Sequence, residues 1–337
     1  MHAPGTMNDL HEMLRNLPEG NRDAEAAARA RQDQLVKPAG SLGRLEDIAV
    51  HLARWQGRER PKLDKVVVTI FAGSHGVTKH GVSAFPDSVN AQMLAGFGAG
   101  MAAICQLAKA FGAELRVIDC GIDNPTADFT AEPAMTEAGF LESIGRGVNA
   151  IDGDEDLVIF GEMGIGNTTA AAAVAAGMFG GDPAEWVGAG TGVDDAGLTR
   201  KAEAVGKGVR LHAPQPDPGV ETLRRLGGRE MAAIFGACLE ARLHSVPVLL
   251  DGYIVTASVA ALGHEGLAHC LAGHVSLERG HRSILERMGL LPILDLGMRL
   301  GEGSGAAAAL GVVRGAVACH DGMATFAEAA VAGPSEG

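Results

Sequence analysis

Aromatic residues are scarce in this 337-residue chain: two Trp, one Tyr and ten Phe, 4% in all. Its core must therefore be built from Ala, Val, Leu and Ile, packed closely around many of the 48 Gly. Positive charge is also in deficit. Lys and Arg number 28 against 41 Asp and Glu, a formal net charge of −13. That balance argues against a nucleic-acid partner, although local basic pockets remain open. Cysteine is limited to Cys105, Cys120, Cys238, Cys270 and Cys319, an odd count with no CxxC pair. The pattern is that of a reduced, cytoplasmic protein rather than a disulfide scaffold. The N-terminus lacks a hydrophobic signal region. Apolar runs such as 65–71 fall well short of the ~20 residues of a membrane helix, so no membrane partner is expected.

Several motifs are missing as well. There is no GxxxxGK[ST] loop, and no GxGxxG follows a strand-like run. HEGLAH (264–269) spaces its histidines five apart, whereas the zinc-protease helix needs four; it reads as a partly buried helix. GEGSG (301–305) has Ser304 one place late for a nucleophile elbow. The twelve His show no other clustered ligand pattern, so neither a metal nor a cofactor is expected.

What is present is an alternation. Residues 1–60 read as helical: Asn21 caps an Ala-rich segment, and 41–56 places Leu42, Leu45, Ile48, Ala49 and Leu52 on one face, with the turn KPAGS (37–41) between. Then come five short apolar runs: 65–73, 114–121, 156–164, 246–252 and 292–297. Each is followed by Gly or an acid, with helix-compatible stretches between them. Runs apolar on both faces and alternating with helices predict an α/β fold with a parallel sheet covered on both sides. Ligands of such folds bind at the carboxyl ends of the strands. The Ala-rich C-terminus ends in GPSEG (333–337), read as a mobile tail.

Two stretches repeat one design. In 157–181 a strand ends at Gly161, a tight loop follows, and Asn167 or Thr168 caps an Ala-rich helix ending at Gly180. Gly164 and Gly166 there expose amides at the positive end of the helix, an arrangement that suits an anion. A tight βα turn needing Gly for geometry alone is the plainer alternative. In 296–317 a strand again leads through a Gly loop into an Ala-rich helix, with Glu302 between two glycines. A carboxylate so placed serves either as a base tuned by burial or as a first-turn acid favouring the helix dipole. GAGTG (188–192) precedes Lys201, a source of charge for a phosphate or else a solvated helix residue. Residues 71–93 mix Val82, Phe85 and Met93 with Ser83 and Gln92, a lining suited to a flat, mostly apolar heterocycle.

In this order, KPAGSLGRLE (37–46), FAGSHGV (71–77), GVSAFPDSVNAQM (81–93), GEMGIGNTT (161–169), GAGTG with Lys201, LDG (250–252), SLERGH (276–281) and RLGEGSGAA (299–307) make the chain similar to the nicotinate-nucleotide:dimethylbenzimidazole phosphoribosyltransferases, which build the lower nucleotide loop of cobalamin. The resemblance implies a homodimer and a Rossmann-like parallel sheet with helices on both faces (61–317). A small helical domain would come from both chain ends (1–60 with 318–337). It implies Glu302 as catalytic base and Glu162 as a second acid. Gly164, Ile165, Gly166, Asn167, Thr168, Gly190 and Lys201 would hold the nucleotide phosphate, with Asp251, Gly252 and Ser276 on the nucleotide side. Ser83, Phe85 and Gln92 would line the base pocket. The chain departs from the family pattern at Ser74 (often Asp), Phe85 (often Tyr) and Arg279 (commonly Pro).

The implied reaction is displacement at the anomeric carbon of nicotinate mononucleotide. The pyridinium leaves as a neutral nitrogen, the benzimidazole nitrogen attacks, and Glu302 takes the N–H proton. Three rivals stay open at this stage: a dinucleotide-dependent oxidoreductase, a non-catalytic nucleotide carrier, and a related transferase using another base such as a purine or phenol.

Overall fold

The computed structural model describes residues 3–190, 192–212 and 218–332. Thr191 of GAGTG and the GPSEG tail lie outside the described residues. Six parallel strands form one sheet: β1 Val66–Ala72, β2 Glu114–Asp119, β3 Leu157–Met163, β4 Val248–Leu250, β5 Cys270–His274 and β6 Pro292–Leu294. Their order is β2-β1-β3-β4-β5-β6. This is a doubly wound arrangement whose order reverses between β1 and β3, where such sheets open a crevice.

Side chains alternate between two cores. Along β1, Val67 and Phe71 enter one, while Val66, Val68 and Ile70 enter the other; β3 divides Val158 and Phe160 from Leu157 and Ile159 in the same way. A parallel strand buried on both faces needs this near-continuous apolar composition. The register sets Phe71 of β1 beside Glu162 of β3, which brings their carboxyl ends level.

Five strands occupy the expected runs. The sixth, β5, was not expected. HEGLAH is not the helix its pattern suggests, because only Gly263–Gly266 makes a helical turn. The chain then turns through Leu267 into β5. Gly263, at φ +71°, and Gly266 leave this stretch little helical support.

The two chain ends pack together. Asn21 caps Arg22–Gln34, its Oδ1 accepting the Ala24 amide at 2.9 Å, as expected. From that helix Arg31 donates to the carbonyls of His320, Asp321 and Met323 at 2.8, 3.0 and 3.2 Å. Leu35 forms an antiparallel bridge with Thr325. The helix Arg44–Gln56 buries Ile48, Ala49 and Leu52, as its spacing predicts. One apolar stretch, Val89–Ala110, does have the length of a membrane span, contrary to the sequence expectation. It folds as two helices, Val89–Gly98 and Ala103–Ala110, broken at Gly100 with φ +72°.

Candidate active site

A cleft opens at the carboxyl ends of β3 to β6. Its walls include Glu162, Gly164, Ile165, Asn167, Thr168, Gly190, Gly252, Ser276 and Glu302, drawn from five separate motifs. Glu162 is the penultimate residue of β3 and Glu302 lies in the loop before the helix Ser304–Gly322. Glycine lets the two segments meet. A Cβ on Gly161 would fall 2.5 Å from the Gly303 nitrogen and 2.6 Å from the Glu302 carbonyl carbon. A Cβ on Gly301 would collide with Glu162 Oε1. Glu302 itself is held at φ +60°, a left-handed conformation that non-glycine residues seldom adopt. Strain at such a position marks a residue whose placement matters more than its comfort.

The two acids differ electrostatically. Glu162 is buried and accepts a hydrogen bond from Asn167 Nδ2. Burial and the charge of Asp251 raise its pKa to about 8, against the Asn167 bond. Glu302 is a buried residue, yet its carboxylate makes no hydrogen bond among the described residues. Burial, then Asp251, raises its pKa too. Asp251 remains ionised: burial opposes its charge, but His274 and the amides of Ala306 and Gly252 outweigh it.

Asp251 thus has a different place from the nucleotide-side position the resemblance implies. Its Oδ2 accepts the Gly303 amide at 3.1 Å and its Oδ1 the Ala306 amide at 2.9 Å. It clasps the Glu302 loop to the end of β4, while Gly252 beside it faces the cleft.

The GIGNT loop is also more constrained than its sequence suggests. Neither Asn167 nor Thr168 caps the helix Asn167–Phe179; the cap position is Gly166, at φ +93° and without a side-chain bond. Asn167 is turned to Glu162, and Thr168 Oγ1 accepts from Lys201 Nζ at 2.9 Å. The amides of Ile165 and Asn167 are taken by Asn90 Oδ1 (2.9 Å) and the Gly164 carbonyl (3.0 Å). Gly166 faces away from the cleft: a Cβ there would meet Thr78 Cγ2 at 2.8 Å.

Lys201 is buried at 2% exposure, not a solvated helix residue. Its second bond runs to the Gly188 carbonyl at 3.1 Å, and a Cβ on Gly190 would lie 2.9 Å from Nζ. Burial lowers its pKa, with the charge of Glu278 opposing. Ser276 lines the cleft, and its Oγ accepts the Glu278 amide at 3.2 Å.

Ser83, Phe85 and Gln92 are not brought to the cleft wall. Ser83 Oγ accepts the Phe85 amide at 3.1 Å, Phe85 is 48% exposed, and Gln92 is exposed. The residue of that motif which does touch the GIGNT loop is Asn90. Its amide joins Ser74 Oγ (2.8 Å) to the Ile165 nitrogen and so couples this segment to the GIGNT loop.

Sequence reasoning missed four more cleft residues. Arg299 donates to the Gly190 carbonyl at 2.7 Å. Glu278 Oε1 accepts the Gly190 amide at 2.9 Å, and Oε2 has no hydrogen-bond partner among the described residues. His274 Nε2 stands 3.4 Å from Asp251 Oδ1, and Tyr253 donates to the Trp186 carbonyl at 2.8 Å. Arg299 and Glu278 sat inside motifs already singled out, and a lone cation or acid beside a Gly loop was the available signal. Arg279 opens the helix Arg279–Arg287, a first-turn position that also suits the Pro common in relatives.

A family model described as Phosphoribosyltransferase matches residues 17–331. A protein of Mesorhizobium japonicum named nicotinate-nucleotide–dimethylbenzimidazole phosphoribosyltransferase is 55% identical over 329 residues, covering 97% of this chain and 98% of that one. One of the same name from Novosphingobium aromaticivorans is 55% identical over 322 residues, covering 95% of each. Among solved structures, CobT from Thermus thermophilus aligns with a TM-score of 0.86 at 40% identity, covering 93% of this chain and all of that one.

Proposed function

This chain belongs to the nicotinate-nucleotide–dimethylbenzimidazole phosphoribosyltransferase family, and on that premise we propose that it moves the phosphoribosyl group of nicotinate mononucleotide onto 5,6-dimethylbenzimidazole. The products are nicotinate and α-ribazole 5′-phosphate, used in assembling the lower ligand of cobalamin. The observation that carries this reading is the meeting of two buried glutamates, one of them without a hydrogen-bond partner among the described residues, in a cleft with Lys201 behind one wall.

The nucleotide phosphate lies at the end of the cleft formed by Thr168 and Gly190, near Lys201 and Arg299. Fixing it there presents the anomeric carbon to the two acids. Nicotinate departs with the electron pair of the C1′–N bond, and its ring nitrogen becomes neutral. The benzimidazole nitrogen attacks from the opposite face, inverting β to α, and the azole becomes cationic. Glu302 removes the proton from its other nitrogen. A base whose pKa is raised toward neutrality does this better than an ordinary carboxylate. Glu162, with a pKa of about 8, is largely protonated at neutral pH and orients the ribose hydroxyls rather than neutralising charge.

The base approaches from the segment carrying Ser83, Phe85 and Gln92. The enzyme works as a cytoplasmic homodimer, with the small helical domain formed by 1–60 and 318–337 beside the 61–317 domain. The test is to incubate the protein with nicotinate mononucleotide and a panel of benzimidazoles, purines and phenols, following both products by chromatography. Nicotinate release that depends on dimethylbenzimidazole, with equal formation of α-ribazole phosphate, supports the reading. Binding without release, or preference for a purine or phenol, overturns it in favour of a carrier or a transferase using another base.

A further inference from the structure

At the opposite end of the sheet from the cleft, the fold assembles three groups that the sequence spacing conceals. Cys238 comes from the helix Arg229–Leu243, Cys270 opens β5, and His269 precedes it. All three are buried, Cys238 and His269 completely. Cys238 Sγ lies 3.7 Å from Cys270 Sγ and 3.7 Å from His269 Nε2, and Cys270 Sγ lies 3.8 Å from the same nitrogen. The three ligand atoms form a nearly equilateral triangle. Zinc bonds of about 2.3 Å to sulfur and about 2.0 Å to nitrogen, set tetrahedrally, give edges of about 3.8 Å between sulfurs and about 3.5 Å between sulfur and nitrogen.

A second observation points the same way. Arg242, one helical turn after Cys238, is 5% exposed, and its Nε and one terminal nitrogen have no hydrogen-bond partner among the described residues. Its guanidinium stacks 4.2 Å over the Trp55 ring, which itself packs edge-on against His269. A buried guanidinium with unused donors calls for an anion beside it. Two thiolates on a metal would supply that anion, and Arg242 would donate to the metal-bound sulfurs as an outer partner. There is also a route in: Cys270 and Arg242 both line a cavity of about 580 Å³, with His51, His264 and Arg54 on its walls.

We propose that Cys238, His269 and Cys270 form a binding site for one zinc-like divalent cation. On binding, each thiol loses its proton to solvent and forms a metal–sulfur bond. His269 Nε2, which in the metal-free protein donates to the Cys238 carbonyl at 3.0 Å, loses that proton to solvent and binds the metal, while Nδ1 takes up a proton from solvent and the ring stays neutral. Water from the cavity fills the fourth position. The site ties the Arg229–Leu243 helix to β5 and lies apart from the catalytic cleft, so its role is structural.

The full-length protein, purified and stripped with a chelator, is titrated with cobalt as the probe. The expected result is one equivalent bound, the near-ultraviolet thiolate-to-cobalt band, visible bands of tetrahedral cobalt, and quenching of Trp55 in a Trp186→Phe background. Zinc should displace cobalt and raise the melting temperature. Cys238→Ala and Cys270→Ala should each abolish the band, while Cys120→Ala, a buried cysteine elsewhere, keeps it. If the cluster variants fail to fold, the wild-type band with Trp55 quenching still decides. No thiolate band at stoichiometric cobalt, or a band that persists in Cys238→Ala, overturns the proposal.

Discussion

In the proposed reaction Glu302 concentrates the chemistry in one side chain, and its surroundings explain how. It sits in a left-handed turn between two glycines, beneath a fixed negative charge at Asp251, with nothing among the described residues bonded to its carboxylate. Glu302→Ala should leave nucleotide affinity nearly unchanged and lower turnover by about 10²- to 10⁴-fold, the range for a positioned base; steady-state kinetics with separate titration of each substrate checks it. Because burial and Asp251 raise the Glu302 pKa, the acid limb of the kcat/KM profile should lie above the usual glutamate range near ~4.3. Asp251→Asn should move that limb to lower pH, and an unmoved limb would remove Asp251 from the electrostatics. Glu162 makes a second test, through stability. Its folded pKa, about 8, exceeds the ordinary value of 4.5. The folded state therefore holds a proton that the unfolded chain releases between those values, and stability falls as pH rises through that window. Glu162→Gln should gain melting temperature relative to wild type on going from about pH 5 to about pH 9, as thermal scans across that range would detect.

At the scale of elements, short contacts between backbones decide the site. Gly161 allows the Glu302 loop to rest on β3. Gly161→Ala should cost about 1–3 kcal/mol through overpacking and lower turnover as well, since both glutamates are displaced; denaturant unfolding and kinetics on one variant would find the two losses together. A normal rate in a destabilised protein would mean that the acids need no such closeness. Most strands were legible because a parallel strand buried on both faces must be largely apolar, as β1 is but for Thr69 and β3 is as far as Glu162. The strand β5 was not. Cys270–His274 is five residues long, lacks β-branched side chains, and follows a stretch that imitates a helix. The glutamates and the GIGNT loop were readable because each motif is contiguous. Asn90, His274 and Arg299 were not, since their roles depend on partners from distant segments that no local pattern announces.

Across the whole molecule, the termini close over one another while the cleft and the cysteine–histidine cluster occupy opposite ends of the sheet. Arg31 holds three carbonyls at the far end of the chain. Arg31→Ala should destabilise the protein by about 1.5–3 kcal/mol, the range for hydrogen bonds to a charged donor, and leave the KM values unchanged, because it is remote from the cleft. Chemical denaturation together with kinetics separates this from a general effect on the site. The central claim concerns the carboxyl ends of the strands and is tested most directly by a crystal structure of the protein with bound nicotinate mononucleotide. The account predicts the phosphate beside Thr168, Gly190 and Lys201, with the anomeric carbon turned toward Glu302 and the ribose hydroxyls toward Glu162. A phosphate bound elsewhere, or a ribose that neither glutamate reaches even through a single water, would contradict it.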